Sequence, residues 1–261
     1  MRISETVSGK YYALRTLTCM IAWFANWDEI WRCYRNGLAL PALRFRRGFT
    51  LNHRPGDQIL LQFYETLRDK SYRRFITEPG HGTVLDLGAN IGVVTVDWAN
   101  RLPALRIHAY EPHPSNFATL CENVQTNGLT SRVSLHQEAI GRSTGRLHLR
   151  ASELSMETSA YSTAGKYEEF SAPMVTLATV VQRCKSRIAL AKMDVEGAEV
   201  DILEGASSQI LNEIDQFVIE YHDGLVTGAR ERCELVLNGA GFRCATRRLA
   251  PDQGLLYAWR A

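Results

Sequence analysis

The chain has 261 residues, 45% of them hydrophobic, and a formal net charge of +2. That composition is ordinary for a globular protein with a sizeable core, in one large domain or a domain with an extension, and no global field selects nucleic acid. The charge is nevertheless uneven: residues 1–80 carry 13 Lys and Arg against 7 Asp and Glu, a net of +6, and the remainder carries 17 against 21, a net of −4.

Residues 8–36 read as helical, with Tyr11, Tyr12, Trp23, Phe24, Trp27, Trp31 and Tyr34 too frequent for a free tail. The apolar run "LTCMIAWFANW" is too short to span a bilayer and is followed by Asp28 and Glu29. It is expected to pack on the main domain or on a second copy of the chain, a route to a homo-oligomer. "LRFRRGFTLNHRPG" alternates apolar and basic residues about Gly48, the pattern of a small hairpin with Arg44, Arg46, Arg47 and Arg54 on a solvated face. A helix near 56–74 ends before the Pro79–Gly80 turn. Residues 1–75 are accordingly read as a helical and hairpin extension, and 76–261 as the main domain.

From there strands at 83–87, 106–110, 132–136, 188–193 and 216–221 alternate with helices near 91–101, 114–127, 174–184, 199–211 and 229–240. Such alternation argues for a mostly parallel sheet covered on both faces. "GRLHLRAS" and "GLLYAWRA" add strand-like pieces at 145–152 and 254–261, and the polar, poorly periodic segment 152–172 reads as a mobile loop of the kind that carries substrate contacts. Six scattered cysteines form no Cys-x-x-Cys, and no His pair has zinc spacing. The expectation is reduced thiols in a cytoplasmic protein, without the usual signal peptide.

The chemistry gathers at strand ends. In "VLDLGANIGVVTVDWANRL" an apolar strand ends in Asp86, Gly88 and Gly92 bracket Ala89, Asn90 and Ile91, and a helix follows. This unit brings backbone N–H groups and a helix N-terminus to a ligand at the sheet edge. Its glycines are four apart with Asn90 between them, so it lacks the middle glycine of the dinucleotide fingerprint that lets a pyrophosphate approach. "HAYEPHPSNF" places Glu111 at the second strand tip, where one carboxylate can accept both hydroxyls of a ribose. "LHQEAIG" places Glu138 where an adenine amino group could be met. "LAKMDVEGAE" carries Lys192, Asp194, Glu196 and Glu199, and "FVIEYH" carries Glu220 and His222. Glu196 and Glu199 open a helix, where acids favour the dipole without any catalytic duty.

Together "LDLGANIG", "YEPHPSNFATLCENVQTNGL", "KMDVEGAEVDILEGA" and "VIEYH" resemble the FkbM-type methyltransferases, over about residues 50 to 240. The resemblance implies an α/β, Rossmann-like class I methyltransferase fold: a seven-stranded, mostly parallel sheet with helices on both faces and an antiparallel last strand. It implies S-adenosylmethionine as cofactor and methyl transfer, usually to an oxygen, in natural-product, sugar or glycolipid pathways. Carried over residue by residue, Asp86, Gly88 and Asn90 belong to the methionine side, Glu111 matches the ribose-binding acid, Glu138 lies beside adenine, and Asp194 is near the transferring methyl. Gly92, Pro112 and Ala139 complete the expected cofactor contacts. The acceptor is expected to be a small molecule or glycan and not a nucleic acid, met by residues 1–75 and the loop 152–172. A cofactor-binding subunit without turnover and a nicotinamide-dependent oxidoreductase are the competing functions.

A hydroxyl acceptor must also lose a proton, and Asp194, Glu220 and His222 are the expected catalytic group. The favoured route is metal-free, with His222 as base because its unperturbed pKa near 6.5 suits neutral pH. The alternative is a divalent ion held by Asp194, Glu220 and His222. Lys192 could instead orient Asp194 through a salt bridge.

Overall fold

A computed structural model describes residues 16–55, 57–68, 71–75, 77–152, 158–159 and 167–260. The expected first helix is two helices. Residues 16–23 are helical, Phe24 then forms an isolated β-bridge with Phe45, and helix α1 (Trp27–Asn36) follows. The break docks the hairpin: Asn26 Oδ1 accepts from Arg44 N at 3.0 Å and Asn26 Nδ2 donates to Ala42 O at 2.9 Å. Residues 8–15 lie outside the described residues.

Strands β1 (Leu43–Arg44) and β2 (Thr50–Leu51) form the expected hairpin, antiparallel, with Arg44, Arg46 and Arg47 exposed. The region expected as one helix at 56–74 is instead helix α2 (Ile59–Gln62), a wider π-helical turn at Phe63–Arg68 and a single tight turn at Ser71–Arg73. Phe24, Phe45 and Phe63 meet with ring centroids 4.8–5.8 Å apart, and all three are buried. Burying each contributes roughly 1.5–3 kcal/mol, which binds the extension into the main core.

The main sheet contains β3 (Thr83–Leu87), β4 (Arg106–Tyr110), β5 (Val133–His136), β10 (Ile188–Met193), β11 (Gln216–His222), β12 (Arg243–Ala250) and β13 (Gln253–Trp259). Its order is β12-β13-β11-β10-β3-β4-β5, with β13 antiparallel to both neighbours and β11, β10, β3, β4 and β5 parallel. Every residue of β3 and β10 is buried, as expected of central parallel strands covered on both faces. Val84, Ile107, Leu190 and Val218 face one apolar cluster, shared with the N-terminal extension and helices α3 (Val93–Arg101) and α4 (Pro114–Thr126). Leu85, Leu87, Ala191 and Met193 face the other, under α5 (Leu177–Arg183), α6 (Glu199–Gly205), α7 (Ser208–Asn212) and α8 (Ala229–Gly239).

One expectation is corrected here. Residues 167–172 are not loop but the first part of β9 (Tyr167–Thr176), which pairs antiparallel with β7 (Gly145–Ser152). With β6 (Ala139–Gly141) and β8 (Thr158–Ser159) they form a second, four-stranded sheet in the order β6-β9-β7-β8. Backbone pairing across the chain, not apolar alternation, makes this polar stretch a strand. Residues 153–157 and 160–166 of that segment lie outside the described residues. All six cysteines are free thiols, and among the described residues no helix is long and apolar enough to cross a membrane.

Candidate active site

The chain leaves β3 toward β4 and later returns on its other side as β10, so the order in which strands are added reverses between these two parallel neighbours. Ligands of open α/β sheets bind outside the carboxyl ends of the strands at such a point. Here Gly88, after β3, touches the loop after β10. Its φ is +80°, and a Cβ on it would lie 1.8 Å from the Asp194 carbonyl oxygen. Asn90 also takes a left-handed conformation, with φ 51°, which Asn tolerates better than most residues. Its N–H then donates to Glu111 Oε2 at 2.9 Å, while His113 N–H donates to Glu111 Oε1 at 2.9 Å. The Asn116 side chain bonds this carboxylate too, and each Glu111 oxygen spends one lone pair on a backbone N–H. Burial pushes the Glu111 carboxyl up to about 7, against the lowering effect of those bonds.

A cavity of about 300 Å³ opens there, walled by Gly88, Asn90, Tyr110, Glu111, Pro112, Asn116, Glu138, Ala139, Asp194 and Glu196, among others. Leu147 of β7 and Met174 of β9 line it as well, so the second sheet closes one side. Glu138 is gripped by the Arg183 guanidinium, one bond at 3.1 Å and a shorter one, which holds its carboxyl below the usual range.

Two residues expected at the cofactor lie elsewhere. Asp86 is fully buried beneath the cavity and is not among its lining residues. Its Oδ2 accepts the Thr95 hydroxyl at 2.6 Å, and Lys192 Nζ stands 3.2 Å from Oδ1. The pairing follows from register, because Asp86 and Lys192 are cross-strand partners of β3 and β10. Gly92 faces helix α4: a Cβ there would meet Leu120 Cδ1 at 2.6 Å. It serves the approach of α3 to α4.

A second cavity of about 310 Å³ shares Gly88, Asn90, Asp194 and Glu196 with the first. Leu61, Gln62, Glu65, Thr66 and Tyr72 line it from the N-terminal extension, and Lys192, Glu220, His222 and Gln253 from the sheet. Glu220 and His222 share this wall because alternate strand residues point the same way. The buried Tyr72 has its hydroxyl 2.6 Å from Glu220 Oε2 and 3.0 Å from Asp194 Oδ2, bridging two acids. Gln253 Nε2 donates to Glu220 Oε1 at 2.5 Å. Lys192 Nζ donates to Gly88 O at 2.6 Å and forms an ion pair with Asp194 Oδ2 at 3.6 Å.

The site differs from the expected Asp194, Glu220 and His222 grouping. Glu196, at φ 52°, turns inward, and Asp194, Glu196 and His222 each offer a ligand atom within 4.8 Å of the others. Glu220 is engaged by Tyr72 and Gln253 instead. Nor does His222 keep an ordinary pKa. Burial disfavours its charged form, but the Glu199 carboxylate bonded to Nδ1 at 3.2 Å, with Glu196 and Asp194 nearby, outweighs that and pushes it up to about 10. Burial and the Asp194 charge raise Glu196 to about 8 and Glu220 to about 7. Tyr72 escaped sequence reasoning because nothing local ties it to acids more than a hundred residues away.

Compared with known proteins, residues 86–244 match the family model described as the methyltransferase FkbM domain. Methyltransferase 1 of Beauveria bassiana is 26% identical over 227 residues, covering 78% of this chain and 89% of that protein. The 31-O-demethyl-FK506 methyltransferase FkbM of Streptomyces tacrolimicus is 28% identical over 235 residues, with the same two coverages of 78% and 89%. Among solved structures, the precorrin-6y C5,15-methyltransferase of Geobacter metallireducens GS-15 aligns with 11% identity and a TM-score of 0.46, covering 74% of this chain and 85% of that one. With the family model spanning more than half of its length, from Asp86 to Cys244, the chain belongs to the FkbM methyltransferase domain family.

Proposed function

We propose that this methyltransferase uses S-adenosylmethionine and delivers its methyl group to a hydroxyl oxygen of a small natural product or sugar-bearing molecule. The observation that carries this reading is the pair of cavities, similar in volume, that meet at Gly88, Asn90, Asp194 and Glu196. One suits a donor, the other an acceptor, and a group can pass only where they join. The first fits an adenosyl group: the Glu111 carboxylate lines it as an acceptor for ribose hydroxyls, and Glu138 lines it as well. Asn90 stands where a pyrophosphate would need glycine, which speaks against a nicotinamide dinucleotide.

Gly88 and Asn90 would hold the methionine side, with Asp86 supporting them through Lys192. When bound, this cofactor supplies an electrophilic methyl on a sulfonium, which departs as a neutral thioether once the acceptor oxygen takes the methyl. The chain's part is to bring the acceptor into line, a positioning effect that supplies much of the rate. The wall from Leu61 to Tyr72 would bind the acceptor, making the N-terminal extension the acceptor side. Glu220, on that wall, would take the hydroxyl proton, and Asp194 would face the reacting oxygen. The name of the Streptomyces tacrolimicus relative, a 31-O-demethyl-FK506 methyltransferase, supports an oxygen acceptor.

Calorimetry with S-adenosylhomocysteine and with NAD tests the donor, and transfer of labelled methyl to a panel of hydroxylated and aminated acceptors tests the reaction. Saturable binding of S-adenosylhomocysteine alone, with labelled oxygen-linked methyl, is expected. Binding without turnover on every acceptor would favour a cofactor-binding subunit. Preference for NAD would overturn the donor.

A further inference from the structure

The cluster at the junction of the cavities has a construction that methyl-donor binding does not require. Its centre is Glu199, fully buried, whose single oxygen Oε1 accepts from Val195 N, Gly197 N and the His222 ring nitrogen Nδ1, each at 3.2 Å. Those bonds pin the backbone on both sides of Glu196 and fix the imidazole. Glu196 is held at φ 52°, a conformation that costs a non-glycine residue and persists where the surroundings impose it. The fixed ring directs Nε2 to Glu196 Oε2, 3.5 Å away. His222 is only 8% exposed yet lines the second cavity. A carboxylate on one imidazole nitrogen, with the other nitrogen turned toward further carboxylates, is how proteins orient a histidine that ligates metal.

We propose that Asp194, Glu196 and His222 form a binding site for one divalent cation, with Glu199 as the residue that positions His222. The three ligand atoms lie within 4.8 Å of one another, close enough to converge on one ion. Lys192 offsets only part of their charge: its ammonium lies 3.6 Å from Asp194 Oδ2 but is shared with Asp86 at 3.2 Å and Gly88 O at 2.6 Å. Two carboxylate oxygens and one imidazole suit an ion such as Mn²⁺, which accepts both ligand types. Resting on the methyltransferase reading, the role follows from place. Asp194 and Glu196 border both cavities, so the cation would take the acceptor oxygen as a further ligand and make its hydroxyl more acidic. The proton then passes to Glu220, the oxygen lone pair forms the new O–C bond, and the donor's C–S pair returns to sulfur.

Titration of the full chain with MnCl₂, followed by loss of the free-ion electron paramagnetic resonance signal, tests the site without any turnover. One ion per chain is expected. Glu196→Gln and His222→Gln should each weaken binding more than tenfold, and Glu199→Gln by about 10–100-fold. Glu65→Gln, an acid of the same cavity outside the cluster, should leave affinity within twofold. An unchanged circular-dichroism spectrum and a cooperative urea transition for each variant establish that it is folded. A folded wild-type chain that binds no Mn²⁺, or binding that all three cluster variants retain, would overturn the site. Mn²⁺ bound at this site by a chain that ignores S-adenosylhomocysteine would leave the cation site standing and strike instead at the donor assignment.

Discussion

A methyl group added at Gly88 would fall 1.8 Å from the Asp194 carbonyl oxygen, on a backbone with φ +80°. Gly88→Ala therefore pays twice, about 1–2 kcal/mol for a left-handed residue and more for parting the two loops. We expect a total loss of about 3 kcal/mol or more in urea unfolding; an unchanged midpoint would show that the loops can separate. Glu111 gives a pH signature. Its carboxyl is raised from 4.5 to about 7 in the folded chain, so the folded state holds the proton more tightly than the unfolded one. Stability from this group consequently falls as pH rises from about 4.5 through about 7. Under the proposed function, the carboxylate is the form that would accept ribose hydroxyls. S-adenosylhomocysteine affinity should rise with pH up to about 7 and then level off, and Glu111→Gln should lower it and flatten the profile. A wild-type profile flat between pH 5.5 and 8 would remove Glu111 from the ligand contact.

At the scale of elements, the segment from Ile59 to Arg73 contributes Leu61, Gln62, Glu65, Thr66 and Tyr72 to the wall of the second cavity. Its π-helical turn at Phe63–Arg68 includes Glu65 and Thr66, and its last turn carries Tyr72. Tyr72→Phe keeps the ring and removes the hydroxyl that meets Glu220 and Asp194. Turnover should fall about tenfold or more, since a hydrogen bond to a charged group contributes about 1.5–3 kcal/mol, while S-adenosylhomocysteine affinity stays within twofold. Equal losses in both would place Tyr72 in donor binding instead. The sequence shows helix-forming residues here but not the change of helical pitch, because packing on Phe24 and Phe45 decides it. Strand β12 was illegible for a related reason. Residues 243–250 lie at the sheet edge, with Arg243, Arg247 and Arg248, and mix exposed with half-buried positions instead of alternating cleanly.

At the scale of the whole molecule, one buried cation ties the parts together. Lys192, in the middle of the sheet, meets the buried Asp86, Gly88 O at the turn and Asp194, which lines both cavities. Burial opposes its charge, but Asp86 and Asp194 outweigh that and raise its pKa. Lys192→Met would leave the fully buried Asp86 uncompensated. We expect a loss of about 3–5 kcal/mol in denaturant unfolding, with weaker S-adenosylhomocysteine binding because the Gly88 turn loses its anchor. Wild-type stability in Lys192→Met would show that Thr95 alone satisfies Asp86.

The sequence by itself determined the parallel core, the glycine turn, and the strand ends that carry Glu111, Asp194 and Glu220 with His222. These are short-range features: apolar runs long enough to be strands, helix starts, and a period of two that puts residues 220 and 222 on one face. Only the tertiary structure decided how the carboxylates divide their work. Asp86 went to Lys192 through strand register, Glu220 to a tyrosine 148 residues away, and Glu196 into the place expected for Glu220. An acid's partner depends on which distant chain arrives beside it and on how burial then weighs its charge. Sequence spacing carries neither quantity.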